Sequence, residues 1–185
     1  RPPLGALQAA EQLGRTGYPR LVVFSSLSKR SNVPGMRSGF VAGDAAILNK
    51  FYLYRTYQGG AMSPPVQEAS IAAWQDETHV LENRSLYREK FQTALEILQP
   101  VLDVEEPDAA FYLWARTPLP DPEFTRRLYE TQAVSVLPGS YLARDAHGTN
   151  PGNNRVRIAL VSSTVECAEA ARRIREFVTS LPSGR

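Results

Sequence analysis

A serine-rich segment with one lysine is the most informative part of this sequence: residues 25–39 read SSLSKRSNVPGMRSG. Before it stands a short β-branched run, Leu21–Phe24, which is bounded by Pro19 and is typical of a buried strand. After it, Gly39–Gly43 is predicted to form a second short strand. The segment itself is rich in hydroxyl side chains, glycine and proline, so it is predicted to be a loop up to residue 37.

Within this segment, Lys29 stands close in sequence to groups that bind phosphate. A lysine that bonds covalently to a cofactor carbonyl must lose its proton easily, which burial favours. A phosphate beside it needs hydroxyls, backbone N–H groups and a guanidinium, and Ser26, Ser28 and Arg37 supply the side chains. A solvated loop lysine without a ligand explains the same residue. On chemistry alone, both interpretations stay open.

Composition and charge restrict the classes of protein to which the chain can belong. Of its 185 residues, 43% are hydrophobic and 22% charged, which is enough apolar sequence for a packed core. The 21 basic and 19 acidic residues nearly cancel, and no run of like charges suggests a nucleic-acid partner. The single cysteine, Cys167, excludes an internal disulfide and favours a reducing, cytoplasmic setting. No apolar run approaches the roughly 20 residues that span a bilayer, so no membrane partner is expected.

The remaining reactive side chains give no second site by their spacing. His79 and His147 are isolated, and no ligand spacing predicts a metal site, so no metal ion is expected. A Ser-His-Asp triad can be assembled on paper, but no nucleophile elbow supports one. Cys167 falls in a helical pattern and is expected to be a packing or surface residue.

Hydrophobic periodicity predicts an α/β chain whose texture changes near Pro100. The predicted helices are Leu7–Leu13, Ala45–Tyr57 with Asp44 as N-cap, a helix that starts at Ser63-Pro64-Pro65, Thr78–Leu98, Pro122–Thr131, and a last helix with Val165, Ala168, Ala171, Ile174 and Phe177 on one side. Further strands are predicted over Val101–Val104, Ala110–Ala115, Ala133–Leu137 and Arg155–Leu160. We expect residues 1–77 and 100–185 to form two structural units, joined by a long helix over residues 78–99.

The lysine segment resembles the signature of a known family. Ser26-Leu27-Ser28-Lys29, followed by Gly35-Met36-Arg37-Ser38-Gly39, is similar to the cofactor-lysine motif of class I and II aminotransferases of pyridoxal-phosphate (PLP) fold type I. The resemblance implies that Lys29 is the catalytic lysine that holds pyridoxal 5′-phosphate covalently. It also implies that Ser26 and Arg37 hold the cofactor phosphate, while Ser28 stays a candidate from the chemistry of the loop. The implied fold is α/β, with residues 1–77 at the end of the large-domain sheet and residues 100–185 as the small C-terminal domain.

A second likeness lies far along the chain, at Asn154–Leu160. In the family, the corresponding late strand carries the arginine that grips the substrate α-carboxylate. The resemblance places this role on Arg157, with Arg155 as the fallback. A planar guanidinium suits the task because two parallel N–H bonds fix the orientation of the carboxylate. An arginine at a strand edge that faces water is the alternative interpretation.

The resemblance runs from about Arg20 to Leu181, and family members carry roughly as much chain again before this segment. It therefore implies that an aromatic residue, an asparagine and the aspartate that partners the cofactor ring nitrogen stand outside these residues. The isolated chain is accordingly expected to be inactive. Ser63–Pro65 resembles the segment that approaches the neighbouring subunit's cofactor site, which implies a homodimer.

The implied reaction is transamination between an amino acid, with glutamate as the expected donor, and a 2-oxo acid. Within the family, Tyr57–Ser63 and Trp74–Val80 look most like the N-succinyldiaminopimelate aminotransferases of bacterial lysine biosynthesis. A general aromatic or aspartate-type aminotransferase is the next candidate. Two further interpretations stay open: a PLP lyase or decarboxylase on the same fold, and a non-catalytic aminotransferase-like domain that senses a ligand or dimerises.

Overall fold

A computed structural model describes residues 4–182 and divides the chain into two compact units. Unit 1 comprises Arg1–Asn83 and unit 2 comprises Arg84–Arg185. The division falls inside a long helix that spans Thr78–Leu98, with the bounds predicted from the sequence. Among the described residues, no helix has both the length and the apolar character that a membrane crossing requires. The assignment of residues 1–77, 78–99 and 100–185 to domains of a larger architecture stays a prediction.

Unit 1 combines a β-hairpin with helices. Its elements are α1 (Ala6–Gln12), β1 (Val22–Ser26), α2 (Leu27–Arg30), a 3-10 turn (Pro34–Met36), β2 (Gly39–Gly43), α3 (Ala45–Tyr57), α4 (Pro64–Gln75) and the first residues of α5 (Thr78–Leu98). The bounds predicted for β2 and α3 are confirmed. The prediction of a loop over all of residues 25–37 is wrong, because β1 continues through Ser26 and Lys29 lies in the short helix α2.

Two glycines allow the strands of the hairpin to approach each other closely. β1 and β2 are antiparallel, with Ser26 opposite Gly39. A Cβ atom at position 39 would lie 2.5 Å from the Ser25 carbonyl oxygen, and one at position 43 would lie 2.1 Å from the Leu21 carbonyl oxygen. Gly43 also has a φ of 139°, which L side chains rarely adopt. The hairpin therefore requires glycine at both positions, and its register places Ser26 beside Gly39.

Asp44 caps α3, as predicted from the sequence. Its Oδ1 accepts hydrogen bonds from the backbone N–H groups of Ala46 at 2.8 Å and Ile47 at 3.4 Å. Its Oδ2 accepts a bond from the Arg20 N–H at 2.7 Å, which ties the chain that enters β1 to the chain that leaves β2. These bonds, with the one from Arg20 the strongest, hold the pKa of the Asp44 carboxyl below its ordinary value.

Unit 2 packs helices against one face of a three-stranded antiparallel sheet. Its elements are the rest of α5, β3 (Tyr112–Arg116), α6 (Asp121–Gln132), β4 (Leu137–Pro138), a 3-10 turn (Gly139–Tyr141), β5 (Arg155–Ala159) and α7 (Thr164–Ser180). The strand order is β3-β5-β4, so β5 is central. Successive side chains of a strand point to opposite faces. Leu113, Ala115, Val156 and Ile158 are buried in a core with residues of α5, α6 and α7, which leaves Tyr112, Trp114 and Arg157 on the other face.

Two of the predicted strands are wrong. Residues 101–104 form no strand, because the N–H groups of Val101 and Leu102 donate back to the Leu98 carbonyl at 3.0 and 2.8 Å. Leu102 and Val104 are buried in the core. The apolar residues of this run therefore pack against the core and do not mark a strand that pairs with a neighbour. Of residues 133–137, only Leu137 lies in a strand. Ala133 ends α6 in a left-handed conformation, with φ of 53°.

The apolar side predicted for the last helix is confirmed except at its first member. Ala168, Ala171, Ile174 and Phe177 are all buried. Val165 is 77% exposed, so the buried side of the helix does not include it. Its position in the first turn of α7 lies outside the core cluster.

Candidate active site

The candidate cofactor lysine lies on a short helix that a buried leucine anchors. Leu27, the first residue of α2, is fully buried, and its N–H donates to the Ser38 carbonyl at 3.1 Å. Ser28 is half-buried on the same turn. We expected Lys29 to be buried, because burial helps a lysine to lose its proton. Within the described residues 4–182 it is exposed.

Lys29 and Ser26 line one cavity of about 610 Å³ in unit 1. The other lining residues are Phe24, Ser25, Gly39, Phe40, Val41, Phe51 and Arg55. The wall thus combines an amine, hydroxyls and a guanidinium with aromatic rings. Arg55 was missed by the sequence reasoning, because it lies on α3 and no local spacing connects it with Lys29. Its guanidinium donates to the carbonyls of Gln58 at 3.0 Å and Gly60 at 3.1 Å.

Arg37 and Ser38 lie between the 3-10 turn and β2. Ser38 contacts α2 because its carbonyl accepts the Leu27 N–H. Arg37 is exposed, has a left-handed backbone with φ of 51°, and donates from Nη1 to the Pro34 carbonyl at 2.9 Å. A non-glycine residue in this region is uncommon and persists where the surroundings impose it. Ser38 Oγ is buried without a hydrogen-bond partner among the described residues. Ser28 and Arg37 are not among the residues that line the cavity of Lys29.

Arg157 lies in unit 2, on the central strand β5. It stands opposite Trp114 on β3 and Leu137 on β4. Its guanidinium carbon is 5.6 Å from the centre of the Tyr112 ring, which is a cation–π distance. Its Nε is buried and has no hydrogen-bond partner in the described part of the chain. Arg155 is half-buried two residues earlier on the same strand face, so both candidate arginines point to one side of the sheet.

The structure gives His79 two side-chain partners that were not predicted from the sequence. Its Nε2 lies 2.9 Å from Ser31 Oγ, and its Nδ1 is hydrogen-bonded to the Asp76 carboxylate. The spacing of Asp76 and His79, three residues apart at the start of α5, was a signal available in the sequence. The contact with Ser31 is tertiary, so no spacing could have found it.

A family model described as aminotransferase class I and II matches residues 4–174. The chain belongs to the class I and II aminotransferases. Members of this class use PLP as their cofactor. The fold of this aminotransferase chain is the α/β architecture of PLP fold type I, over the part of that architecture that it covers.

Several proteins are similar to this aminotransferase chain. An aminotransferase of known structure from Neisseria meningitidis is 58% identical, with a TM-score of 0.89 over 95% of this chain and 44% of that protein. The 4-dedimethylamino-4-oxo-anhydrotetracycline transaminase of Streptomyces rimosus is 32% identical over 94% of this chain and 46% of its own length. A probable N-succinyldiaminopimelate aminotransferase from Thermus thermophilus is 34% identical, with a TM-score of 0.75 over 87% of this chain and 43% of that protein. The aminotransferase chain thus spans less than half the length of each.

Proposed function

We propose that the complete protein is a PLP-dependent aminotransferase that moves an amino group between an amino acid and a 2-oxo acid. The observation that carries the proposal is the cavity wall that Lys29 shares with Ser26, within the segment that resembles the family's cofactor motif. Membership of the family over residues 4–174 supports it.

The other lysines of the chain are poor alternatives to Lys29. The sequence contains only Lys29, Lys50 and Lys90. Lys90 is 8% exposed, and its Nζ donates to the Leu160 carbonyl at 3.3 Å and lies 4.9 Å from the centre of the Tyr87 ring. Lys50 is an exposed residue of α3. Of the three lysines, only Lys29 is among the residues that line the cavity with Ser26.

The groups around Lys29 fit a phosphorylated aldehyde. Hydroxyl and guanidinium donors bind phosphate oxygens well, because charge strengthens each hydrogen bond. Ser26 and Arg37 are proposed to supply these donors, with Ser28 beside them. The buried and unpartnered Ser38 Oγ adds a hydroxyl with bonding capacity next to the same turn, as far as the described residues go.

Each proposed residue has a defined role in the reaction. Lys29 would hold the cofactor through Nζ, and its free amine would move a proton between the substrate α-carbon and the cofactor, as general base and acid. The bound cofactor supplies an electron sink for the electron pair that this proton leaves behind. Ser26 and Arg37 orient the reacting group by holding its phosphate. Arg157 fixes the substrate carboxylate through two parallel N–H bonds.

The role of Arg157 has a matched test in its neighbour on the strand. In the complete protein, Arg157→Ala is expected to raise KM for the amino acid roughly 10- to 100-fold, the effect of losing charged hydrogen bonds, while the cofactor stays bound. Arg155→Ala is expected to leave KM near the wild-type value. Loss of cofactor in Arg157→Ala, or the KM effect appearing in Arg155→Ala instead, would show that the carboxylate role is misplaced.

For the substrate, we propose N-succinyldiaminopimelate, with glutamate as amino donor. The likeness of Tyr57–Ser63 and Trp74–Val80 supports this choice, as does the similarity to the Thermus thermophilus protein. The test is a panel of amino acids with 2-oxoglutarate as acceptor. Amino transfer that is fastest from N-succinyldiaminopimelate supports the proposal, and preference for an aromatic or acidic amino acid replaces the substrate but keeps the reaction. Elimination or decarboxylation products without 2-oxoglutarate dependence would contradict transamination itself.

We further propose a homodimer in the cytoplasm. The likeness of Ser63–Pro65 to the family's inter-subunit segment supports the dimer, and the single cysteine is compatible with a reducing compartment. Sedimentation of the complete protein at micromolar concentration tests the dimer, and a monomer mass would contradict it.

A further inference from the structure

The three residues that follow Lys29 all bond to one feature of unit 1, the junction between α4 and α5. We define the α4–α5 corner as residues 73–83. Arg30 and Ser31 bond to it as described below, and Asn32 Nδ2 donates to Asn83 Oδ1 at 3.4 Å. Lys29 is therefore followed by three consecutive anchors on the same corner.

Arg30 is the first and most extensively bonded anchor. Its Nη1 donates to the Ala73 carbonyl at 2.7 Å, and its Nη2 donates to the carbonyls of Trp74 at 3.4 Å and Asp76 at 3.1 Å. The guanidinium also pairs with Glu77 and lies 5.1 Å from the centre of the Trp74 ring. Its side chain is only 14% exposed. The planar guanidinium has several N–H donors that can bond to the free carbonyls at the C-terminal end of α4. The helix dipole also favours a positive charge at this end.

Ser31 is the second anchor, and it meets the corner through a histidine. Ser31 Oγ lies 2.9 Å from His79 Nε2, while His79 Nδ1 bonds to the Asp76 carboxylate. Asp76 also accepts bonds from the N–H groups of Thr78 at 3.0 Å and His79 at 3.3 Å, so it caps α5. The bond from the His79 side chain, followed by those from the backbone, holds the pKa of the Asp76 carboxyl below its ordinary value.

The order of these bonds is that of a Ser-His-Asp triad, but their surroundings favour a clamp. The Asp76 side chain is 47% exposed and the His79 side chain 33% exposed. Water therefore weakens the electrostatic interaction between the Asp76 carboxylate and His79 on which a catalytic triad depends. Ser31 Oγ also accepts a hydrogen bond from Arg30 Nη1 at 3.3 Å. This bond occupies a lone pair that Ser31 Oγ would need as a nucleophile. The cluster holds a chain segment in place, and that segment is the one that carries Lys29.

We propose that the α4–α5 corner is a positioning device for Lys29, with Arg30 and the Ser31–His79–Asp76 chain as its working contacts. The inference rests on the proposed role of Lys29. A short helix of four residues has little stability of its own. Its amine can therefore be held at a fixed point only if the chain on both sides is fixed: Leu27 anchors one side by burial, and the corner anchors the other by hydrogen bonds. Arg30, Ser31 and His79 act through the backbone of α2 and need not touch the cofactor.

The test separates the position of the lysine from the integrity of the pocket. In the complete protein, pyridoxal 5′-phosphate reports the linkage at Lys29 through borohydride trapping, whereas pyridoxine 5′-phosphate has no aldehyde and reports pocket binding alone. Ser31→Ala, His79→Ala and Arg30→Lys are expected to slow linkage about tenfold, since small misplacements of a reacting group cost at least this much. Affinity for pyridoxine 5′-phosphate is expected to stay within about twofold of wild type. Ser31→Thr keeps the hydroxyl and should restore the rate.

A second readout does not depend on the cofactor. The N–H groups of Leu27, Ser31 and Val33 are hydrogen-bonded, to Ser38 for the first and to Leu27 for the other two. Amide hydrogen exchange over residues 27–33 of the cofactor-free protein should therefore become about tenfold faster in the three loosened variants. Glu82→Ala, at an exposed position one turn further along α5, is the matched control and should change neither readout.

Each outcome has a distinct meaning. If wild type is trapped at Lys29 and the variants match it in linkage rate and exchange, the positioning device is wrong while the proposed function stands. Equal losses of linkage and of pyridoxine 5′-phosphate affinity would show a merely structural role, which also overturns the inference. Labelling of Ser31 by a fluorophosphonate that requires His79 would replace the clamp with a reactive triad. If wild type is not trapped at Lys29, both proposals fail.

Discussion

Asp121 is a buried carboxylate that joins separate segments of unit 2. It is 2% exposed, and its Oδ2 accepts bonds from the Ser140 N–H at 2.9 Å and the Ser140 hydroxyl at 2.6 Å. Its Oδ1 accepts a bond from the Asn154 N–H at 3.0 Å. Because Asn154 directly precedes β5, this one residue fixes the start of the strand that carries Arg157.

Removing the charge of Asp121 should destabilise the protein. Asp121→Asn replaces a charged acceptor with a neutral amide, and we expect it to lower the free energy of unfolding by about 1–3 kcal/mol at neutral pH, the cost of unsatisfied buried donors. Urea denaturation measures the difference. Glu130→Gln, at an exposed position of the same helix, is the control and should stay within about 0.5 kcal/mol of wild type.

The contribution of Asp121 should also depend on pH in a defined direction. Burial raises the pKa of this carboxyl, but the hydrogen bonds from Ser140 and Asn154 outweigh burial and the pKa is lowered overall. A lowered pKa in the folded state gives stability that is complete above the unfolded value of about 3.9 and is lost as the pH falls through the folded value. The gap between wild type and Asp121→Asn should therefore shrink below about pH 4. A gap that stays constant down to about pH 2 would contradict this reasoning.

Among the elements, the β1–β2 hairpin depends on one close approach that can be tested by adding a methyl group. Gly39→Ala would place a Cβ 2.5 Å from the Ser25 carbonyl, whereas a Cβ at Gly35 meets nothing within 4 Å. We expect Gly39→Ala to cost about 1–3 kcal/mol of unfolding free energy through overpacking and to weaken PLP binding, because Ser26 is opposite Gly39. Gly35→Ala is the matched control. Equal effects at the two positions in denaturation and in PLP titration would contradict the account of the hairpin.

The capping box of α7 gives a second test at this scale. Ser163 Oγ accepts the Glu166 N–H at 3.3 Å, and the Glu166 carboxylate accepts the Ser163 N–H at 3.0 Å. Ser163→Ala should cost about 1 kcal/mol of unfolding free energy, the usual loss at such a cap. Thermal denaturation checks it, with the exposed Ser162→Ala as control. A melting temperature equal to that of the control would show that the cap contributes nothing.

The sequence predicted elements well where their signals are local. Asp44 as a cap and the long apolar pattern of α5 gave bounds that the structure confirms. Four residues are too few to show periodicity, so α2 was predicted as loop. Residues 101–104 resemble a strand in composition. Only the structure shows that this run is a core-facing segment and not a strand.

In the candidate site, too, local motifs could be recognised in the sequence, whereas tertiary contacts could not. Resemblance pointed to Lys29, Ser26, Arg37 and Arg157, and the hydroxyl-rich loop pointed to Ser28; all of these assignments stay predictions. The structure adds that Lys29 and Ser26 line one cavity and that Arg157 Nε is buried without a partner in the described residues. The contacts of Arg30 and Ser31 with the α4–α5 corner join residues far apart in the chain, so local patterns could not reveal them.

At the scale of the whole molecule, the hydrophobic core belongs to one unit. The core cluster extends from Phe91 to Phe177 and lies entirely in unit 2. In the described residues of unit 1, the buried hydrophobic side chains are Ala10, Leu27 and Val80. Burial of apolar surface is the main source of folding free energy, so the two units should differ in independent stability.

A polypeptide of residues 78–182, which keeps α5 whole, should therefore fold by itself. We expect a cooperative thermal transition by circular dichroism at 222 nm, because the core cluster is complete within it. Residues 4–77 should show no cooperative transition. A sigmoidal melt for the shorter piece alone would contradict this distribution of stability.

The most direct test of the account is the identity of the lysine that bonds to the cofactor. The complete protein is incubated with pyridoxal 5′-phosphate, reduced with borohydride and digested, and the modified peptide is identified by mass spectrometry. We predict modification of Lys29, visible absorbance that Lys29→Ala lacks, and unchanged absorbance in Lys50→Ala. Modification at Lys50 or Lys90 with Lys29 unmodified would contradict the central claim.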